Sequence, residues 1–232
     1  MYKDIKVIGF DADDTLWHNE NIFAFAHKEF VKLMQKYAKD EKIEQELTAL
    51  EIENLPLYGY GVKSFTLSML EAALKITKNK IQGSEVEAIV ALGRHMINAP
   101  IVLLDGVADT LKTLSKNYKL IVVTKGDLLD QERKLAKSNI SKYFDHIEIM
   151  SEKTPAAYLN LTDELDINPK EFLMVGNSVK SDIIPAIEIG ASAVLVPFEV
   201  VGIHERADKE TIFSENFKEV KNITELVNLL KS

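Results

Sequence analysis

The sequence predicts an α/β protein with a doubly wound parallel sheet and an all-helical insertion. Three observations carry this. Short β-rich runs are each followed by a helical pattern, and that alternation implies a parallel sheet with helices on both faces. The runs are nearly continuous in apolar character, as in strands covered on both sides. One interval, residues 18–99, holds no convincing strand.

Taken in order, "IKVIGF" (5–10) is the first strand. Beyond it, Ile22, Phe23, Ala26, Phe30, Leu33, Met34 and Tyr37 recur at helical spacing. Further helical stretches cover about 42–53, 64–77 and 84–96, and "NLPLYGYGVKS" (54–64), with one Pro and two Gly, reads as a loop. This block is too long to be the crossover of one βαβ unit. It is expected to be a separate helical domain, 18–99, inserted into a core of 1–17 and 100–232. The remaining strands are "KLIVVT" (119–124), "IEIM" (147–150), "FLMVG" (172–176) and "SAVLVP" (192–197). Together they predict a Rossmann-like core.

Composition narrows the function. The chain has 232 residues, 46% of them hydrophobic, which suffices for a sizeable core. It has no cysteine, so disulfides and thiolate metal sites are excluded. The net charge of -8, with no basic block, argues against nucleic acid as a partner. No apolar run reaches the roughly 18 residues of a membrane span. "MYKDIK" leads into a strand and not a signal segment, so a cytoplasmic protein without membrane contact is expected, as a monomer or homodimer. An anionic substrate would need a local cationic pocket, since the overall field opposes it.

Ligands of open α/β sheets bind beyond the carboxyl ends of the strands. The first strand is followed by Asp11, Asp13, Asp14 and Thr15. The second ends at Thr124, then Lys125, Gly126 and Asp127; the third is followed by Ser151, Glu152 and Lys153. The fourth is followed by Asn177, Ser178, Lys180, Ser181 and Asp182. Crowded carboxylates repel one another unless a cation lies between them. Parallel topology would bring these acids, hydroxyls and lysines together.

The ordered set resembles the four motifs of the haloacid dehalogenase superfamily, over the whole chain. "DADDT" is similar to the first motif, Thr124 in "VVTKGD" to the second, Lys153 in "SEKTPAAY" to the third, and "GNSVKSD" to the fourth. The helical insertion looks like that family's C1 cap. The resemblance implies that Asp11 is the nucleophile forming an aspartyl-phosphate. Asp13 would lend its backbone carbonyl to a Mg²⁺ ion and its side chain as general acid and base. Asp11, Asp182 and Asn177 would complete the metal site. Thr124, Lys125 and Lys153 would meet the phosphoryl group. Asp11, Asp13 and Asp182 against Mg²⁺ and Lys153 leave such a site roughly neutral. Asn177 departs from the Asp that many members carry, and brings no charge. In the insertion, Lys63 in "YGYGVKSF" (58–65) is the candidate to meet a second anionic group of the substrate; the alternative reading puts it in the first turn of the next helix, pointing to solvent.

The function implied is a Mg²⁺-dependent phosphatase of a small phosphorylated metabolite. A 2-haloacid dehalogenase uses the same nucleophile, but halide departs without a proton, and Asp13 would then be dispensable. The same motifs would also suit a phosphomutase, or a non-catalytic binding protein that keeps the fold. Asp14 is expected to be a structural turn residue. Trp17, His18 and Asn19 are expected to pack, and Arg94 and His95 to suit the dipole at a helix end. Ser181 is expected to cap the helix that carries Asp182.

Overall fold

The computed structural model describes residues 2–198 and 214–231. The chain divides into two compact units. One comprises the residues up to Glu20, Ile101–Lys125 and those from Gln131 on; the other comprises Asn21–Pro100 and Gly126–Asp130.

The first unit holds a six-stranded, all-parallel sheet. Its strands are β1 (Val7–Phe10), β2 (Lys119–Lys125), β3 (His146–Met150), β4 (Phe172–Gly176), β5 (Ser192–Leu195) and β6 (Phe217–Glu219), in spatial order β3-β2-β1-β4-β5-β6. β1 lies at the centre, and the order reverses around it. Five strands match the expected runs. β6 escapes sequence reading because it has three residues and only one, Phe217, is apolar and half-buried.

Alternating side chains feed two cores, as the period of 2 in a strand requires. Ile8, Phe10, Leu120, Val122, Leu173, Val175 and Val194 line one face, packed with Val107, Leu111 and Leu114 of α5 (Val107–Leu114) and Leu226 of α9 (Leu226–Leu229). Val7, Ile121, Val123, Phe172, Met174 and Ala193 line the other, with Tyr158 and Leu161 of α7 (Pro155–Glu164) and Ala186 of α8 (Ile184–Glu188). β1 accommodates a glycine because Phe172 crosses it: a β-carbon on Gly9 would lie 2.6 Å from the Phe172 ring.

The second unit contains α1 from Asn21 onward (Glu20–Met34), α2 (Asp40–Tyr58), α3 (Val62–Ile76) and α4 (Gly83–Asn98). Phe30, Met34, Ile43, Leu47, Met69 and Ile89 are completely buried in its core. The expected loop at 54–64 shrinks to Gly59–Gly61. α2 runs through Pro56 to Tyr58 and closes with Gly59 N–H on the Leu55 carbonyl at 2.9 Å. Pro56 sits in the last turn of α2, where it removes the bond an N–H there would make to the carbonyl four residues earlier, and the helix ends soon after it, at Tyr58. Lys63 consequently lies in the first turn of α3. No described helix is long and apolar enough to cross a membrane.

Candidate active site

The C-terminal ends of β1, β2 and β4 and the segment after β3 supply the site, all within the first unit. The Asp11 backbone continues the ladder, donating its N–H to the Val175 carbonyl at 2.8 Å, so the sheet fixes its position. The chain then turns sharply. Leu16 N–H returns to the Ala12 carbonyl at 2.8 Å, and Asp14 adopts φ 62°, a left-handed conformation that Asp tolerates better than most residues. The Asp14 carboxylate accepts from Asn19 N–H at 2.8 Å and Glu20 N–H at 3.0 Å. It thereby satisfies donors that the start of α1 leaves open. Burial pushes its carboxyl up to about 6. This is structural work, as expected for Asp14.

Lys153 binds two further buried carboxylates. Its Nζ lies 2.6 Å from Asp11 Oδ1 and 2.6 Å from Asp182 Oδ1. It is placed by the residue after it: Thr154 caps α7, accepting from Ala157 N–H at 3.2 Å, with Pro155 opening the helix. Asp182 is placed by a single π-helical turn, Val179–Ile183, a form often found at functional sites. Ser178, and not Ser181, caps this turn, accepting from Ser181 N–H at 3.0 Å; α8 starts only at Ile184, with Pro185 in its first turn. The cap lies at Ser178 because helical structure begins at Val179, ahead of Ser181 and Asp182. Asp182 Oδ2 accepts from Ser178 N–H at 2.9 Å.

Burial pushes the Asp11 carboxyl up to about 7; Lys153 pulls it down, and Asp182 and Asp13 push it up again. For Lys153, burial works against the charge, but Asp11 and Asp182 overcome it and hold the ammonium above its ordinary range. One lysine thus serves two buried carboxylates.

Thr15 Oγ1 donates to Asp11 Oδ2 at 3.1 Å and lies 3.4 Å from Asn177 Oδ1, which draws the ends of β1 and β4 together. Thr124 is buried at the end of β2, its hydroxyl donating to the Lys125 carbonyl at 3.3 Å. Lys125 Nζ donates to Ser181 Oγ at 2.9 Å and stands 3.9 Å from Glu152. Trp17, His18 and Asn19 are used internally: Trp17 Nε1 donates to Asp13, His18 stacks edge-on with Phe198, and Asn19 accepts from Lys134.

Asp13 stands apart from Asp11 and Asp182 in its partners. Both of its oxygens face Lys134, at 2.9 and 3.0 Å, and Gln131 Nε2 donates to it at 2.9 Å. Neither Gln131 nor Lys134 stands out in the sequence. Both lie in α6 (Leu128–Lys137), spaced i, i+3, where polar residues read as an ordinary solvated face. Lys134 also changes the charge count. Asp11, Asp13 and Asp182 against Lys153 and Lys134 leave one negative charge, so a divalent cation would make the site net positive toward an incoming dianion.

Lys63 lies in the second unit. Both oxygens of Asp127 accept from its Nζ, each at 2.9 Å. The lysine that the sequence offers for a second substrate anion is thus paired with Asp127.

Among the described residues no cluster of three His, Cys, Asp or Glu side chains is poised to hold a metal. The reason is visible in the geometry: the Asp13 side chain is engaged with α6, leaving two convergent carboxylates. Asp11, Asp182 and Asn177 nonetheless offer oxygen donors at the ends of β1 and β4, the donor chemistry that would suit a hard cation such as Mg²⁺.

The chain matches the family model of the haloacid dehalogenase-like hydrolases over residues 5–190. It is similar in structure to a haloacid dehalogenase-like family hydrolase from Xanthomonas campestris, with TM-score 0.89 and 32% identity, covering 98% of this chain and 91% of that one. It is 28% identical to the glyceraldehyde 3-phosphate phosphatase of Methanothermobacter thermautotrophicus, over 84% of this chain and 87% of that protein. It is 26% identical to the N-acylneuraminate-9-phosphatase of Mus musculus, over 82% and 81% respectively.

Proposed function

The chain belongs to the haloacid dehalogenase-like hydrolases, and from that premise we propose that it is a Mg²⁺-dependent phosphatase of a small phosphorylated metabolite. The observation that carries this reading is the bridge of Lys153 between Asp11 and Asp182 at the strand ends, with a further acid, Asp13, two residues after Asp11. The phosphatase activities of the relatives support it.

In this reading Asp11 attacks phosphorus through a carboxylate oxygen, and the bond from phosphorus to the substrate oxygen breaks. Asp13 enters this step in its protonated form and gives that proton to the departing oxygen, which leaves it as a carboxylate. Water then attacks the aspartyl-phosphate, Asp13 takes the proton, and phosphate leaves with Asp11 restored. Lys153 neutralises the phosphoryl oxygens, and the Thr124 hydroxyl and Lys125 ammonium donate to them. Mg²⁺ held by Asp11, Asp182, Asn177 and the Asp13 carbonyl would supply the positive charge that lets a carboxylate approach a phosphate dianion.

The test is phosphate release from p-nitrophenyl phosphate with and without Mg²⁺. A panel of phosphorylated metabolites, including glyceraldehyde 3-phosphate and N-acylneuraminate 9-phosphate, follows. Mg²⁺-dependent release supports the reading. No release from any ester overturns it, and halide release from a 2-haloacid under the same conditions would replace it.

A further inference from the structure

We propose that Gln131 and Lys134 of α6, with Trp17, are positioning residues for Asp13; the proposal rests on the acid–base role given to Asp13 above. Three chemically different donors converge on one carboxylate. Oδ1 accepts from Trp17 Nε1 at 2.7 Å and Lys134 Nζ at 2.9 Å; Oδ2 accepts from Gln131 Nε2 at 2.9 Å and Lys134 Nζ at 3.0 Å. Trp17 belongs to the turn that carries Asp13, whereas Gln131 and Lys134 lie 118 and 121 positions along the chain. The carboxylate is therefore held from two independent directions.

Each holder is itself fixed. Lys134 also donates to Asn19 Oδ1 at 2.8 Å. Gln131 Nε2 also donates to the Lys125 carbonyl at 2.8 Å, tying Asp13 to the end of β2 that bears Thr124. Both neighbours of Nε2 are acceptors, so the amide has one orientation only. That orientation leaves Gln131 Oε1 buried without a donor among the described residues. An unmet buried acceptor costs about 1–3 kcal/mol. A residue serving packing alone would not need to carry that cost; Gln131 occupies the position for what Nε2 holds. Asp13 is meanwhile 24% exposed at its side chain, so a carboxylate this firmly held is still open to a ligand.

Acid catalysis matters most when the leaving oxygen is strongly basic. An alkyl alkoxide needs the proton; p-nitrophenolate scarcely does. The comparison is kcat/KM, which reports the steps up to departure of the leaving group, for glycerol 3-phosphate and p-nitrophenyl phosphate. The variants are Lys134→Met, Gln131→Leu, Lys134→Arg and Asp13→Asn, each checked for native thermal unfolding. Lys134→Met and Gln131→Leu should lose at least about tenfold more on the alkyl ester than on the aryl ester, within the roughly 10²–10⁴ of a general acid. Lys134→Arg, which keeps charge and donors, should recover most of the alkyl-ester activity. Equal losses on both esters, or none, would overturn the positioning role. If Lys134→Met does not fold, Gln131→Leu decides the matter by the same ratio. A wild-type protein inactive on both esters, or an Asp13→Asn variant with an unchanged ratio, would instead remove the acid–base reading of Asp13 and this proposal with it.

Discussion

Asp182 folds back over Gly176 so closely that a β-carbon at residue 176 would lie 2.1 Å from Asp182 Oδ2 and 2.3 Å from its Cγ. The last residue of β4 is thus the floor under a carboxylate that Lys153 and Ser178 N–H hold from the other sides. Gly176→Ala should push Asp182 off Lys153. Overpacking of this kind costs about 1–3 kcal/mol. A lower melting temperature, a fall in kcat and a higher Mg²⁺ requirement are expected together. Calorimetry and a Mg²⁺ titration of activity would check this, and a variant with wild-type values in both would contradict the geometry.

Asp11→Asn should abolish turnover, because an amide is a poor nucleophile and a poor metal ligand. Uncatalysed ester hydrolysis is too slow to mask the loss. Chelation of Mg²⁺ in the wild type should stop activity reversibly, and excess Ca²⁺ should inhibit, since its larger and looser shell misplaces the nucleophile. Turnover of Asp11→Asn within about tenfold of wild type, or full activity in chelator, would defeat the mechanism built on this residue.

The strands that matter are legible because a buried parallel strand must be apolar until it stops, and each stops at polar residues. Asp11, Lys153 and Asp182 lie at those stops and meet within hydrogen-bonding distance. Other features carry no local signature. Gln131 and Lys134 look like any polar helix face, and only the tertiary fold turns that face toward Asp13. β6 is too short to show a pattern. Pro56 suggests a loop where there is helix, because the helix runs through it before ending at Tyr58. The part of the expected core at 199–213 lies outside the described residues.

Glu85 gives the helical unit a pH-dependent clasp. It is buried at the start of α4, where it accepts from Gln82 N–H at 2.8 Å and from the Tyr37 hydroxyl at 2.8 Å, and it pairs with Lys36. The backbone bond from Gln82, then Lys36, hold its carboxyl below the ordinary range. A depressed carboxyl stabilises the fold above its unfolded-state value and loses that contribution as pH falls through the folded-state value. Glu85→Gln should therefore melt below wild type near pH 7, and the gap should close toward about pH 3. Thermal scans of both proteins across this range would show it; a gap that is constant or grows on acidification would count against the clasp.

Lys63 supplies the last expectation. Its ammonium is met by both oxygens of Asp127, and Asp127 Oδ1 also accepts from Asp130 N–H at 3.1 Å, near the start of α6. A second anionic group on a substrate would have to break this pair, with little net gain, because one anion would replace another around the same cation. Lys63 is also 58% exposed at its side chain, where ion pairs contribute about 0–1 kcal/mol. Lys63→Met should therefore leave KM within about twofold on both the metabolite identified by screening and p-nitrophenyl phosphate, with a small loss of stability. Asp127→Asn provides the converse. It frees the cation, so KM for a doubly anionic substrate should fall if that substrate comes within reach of Lys63. A KM raised by Lys63→Met for the metabolite alone, with kcat on the generic ester unchanged, would show that substrate does win the lysine from Asp127, and would assign Lys63 to the specificity site.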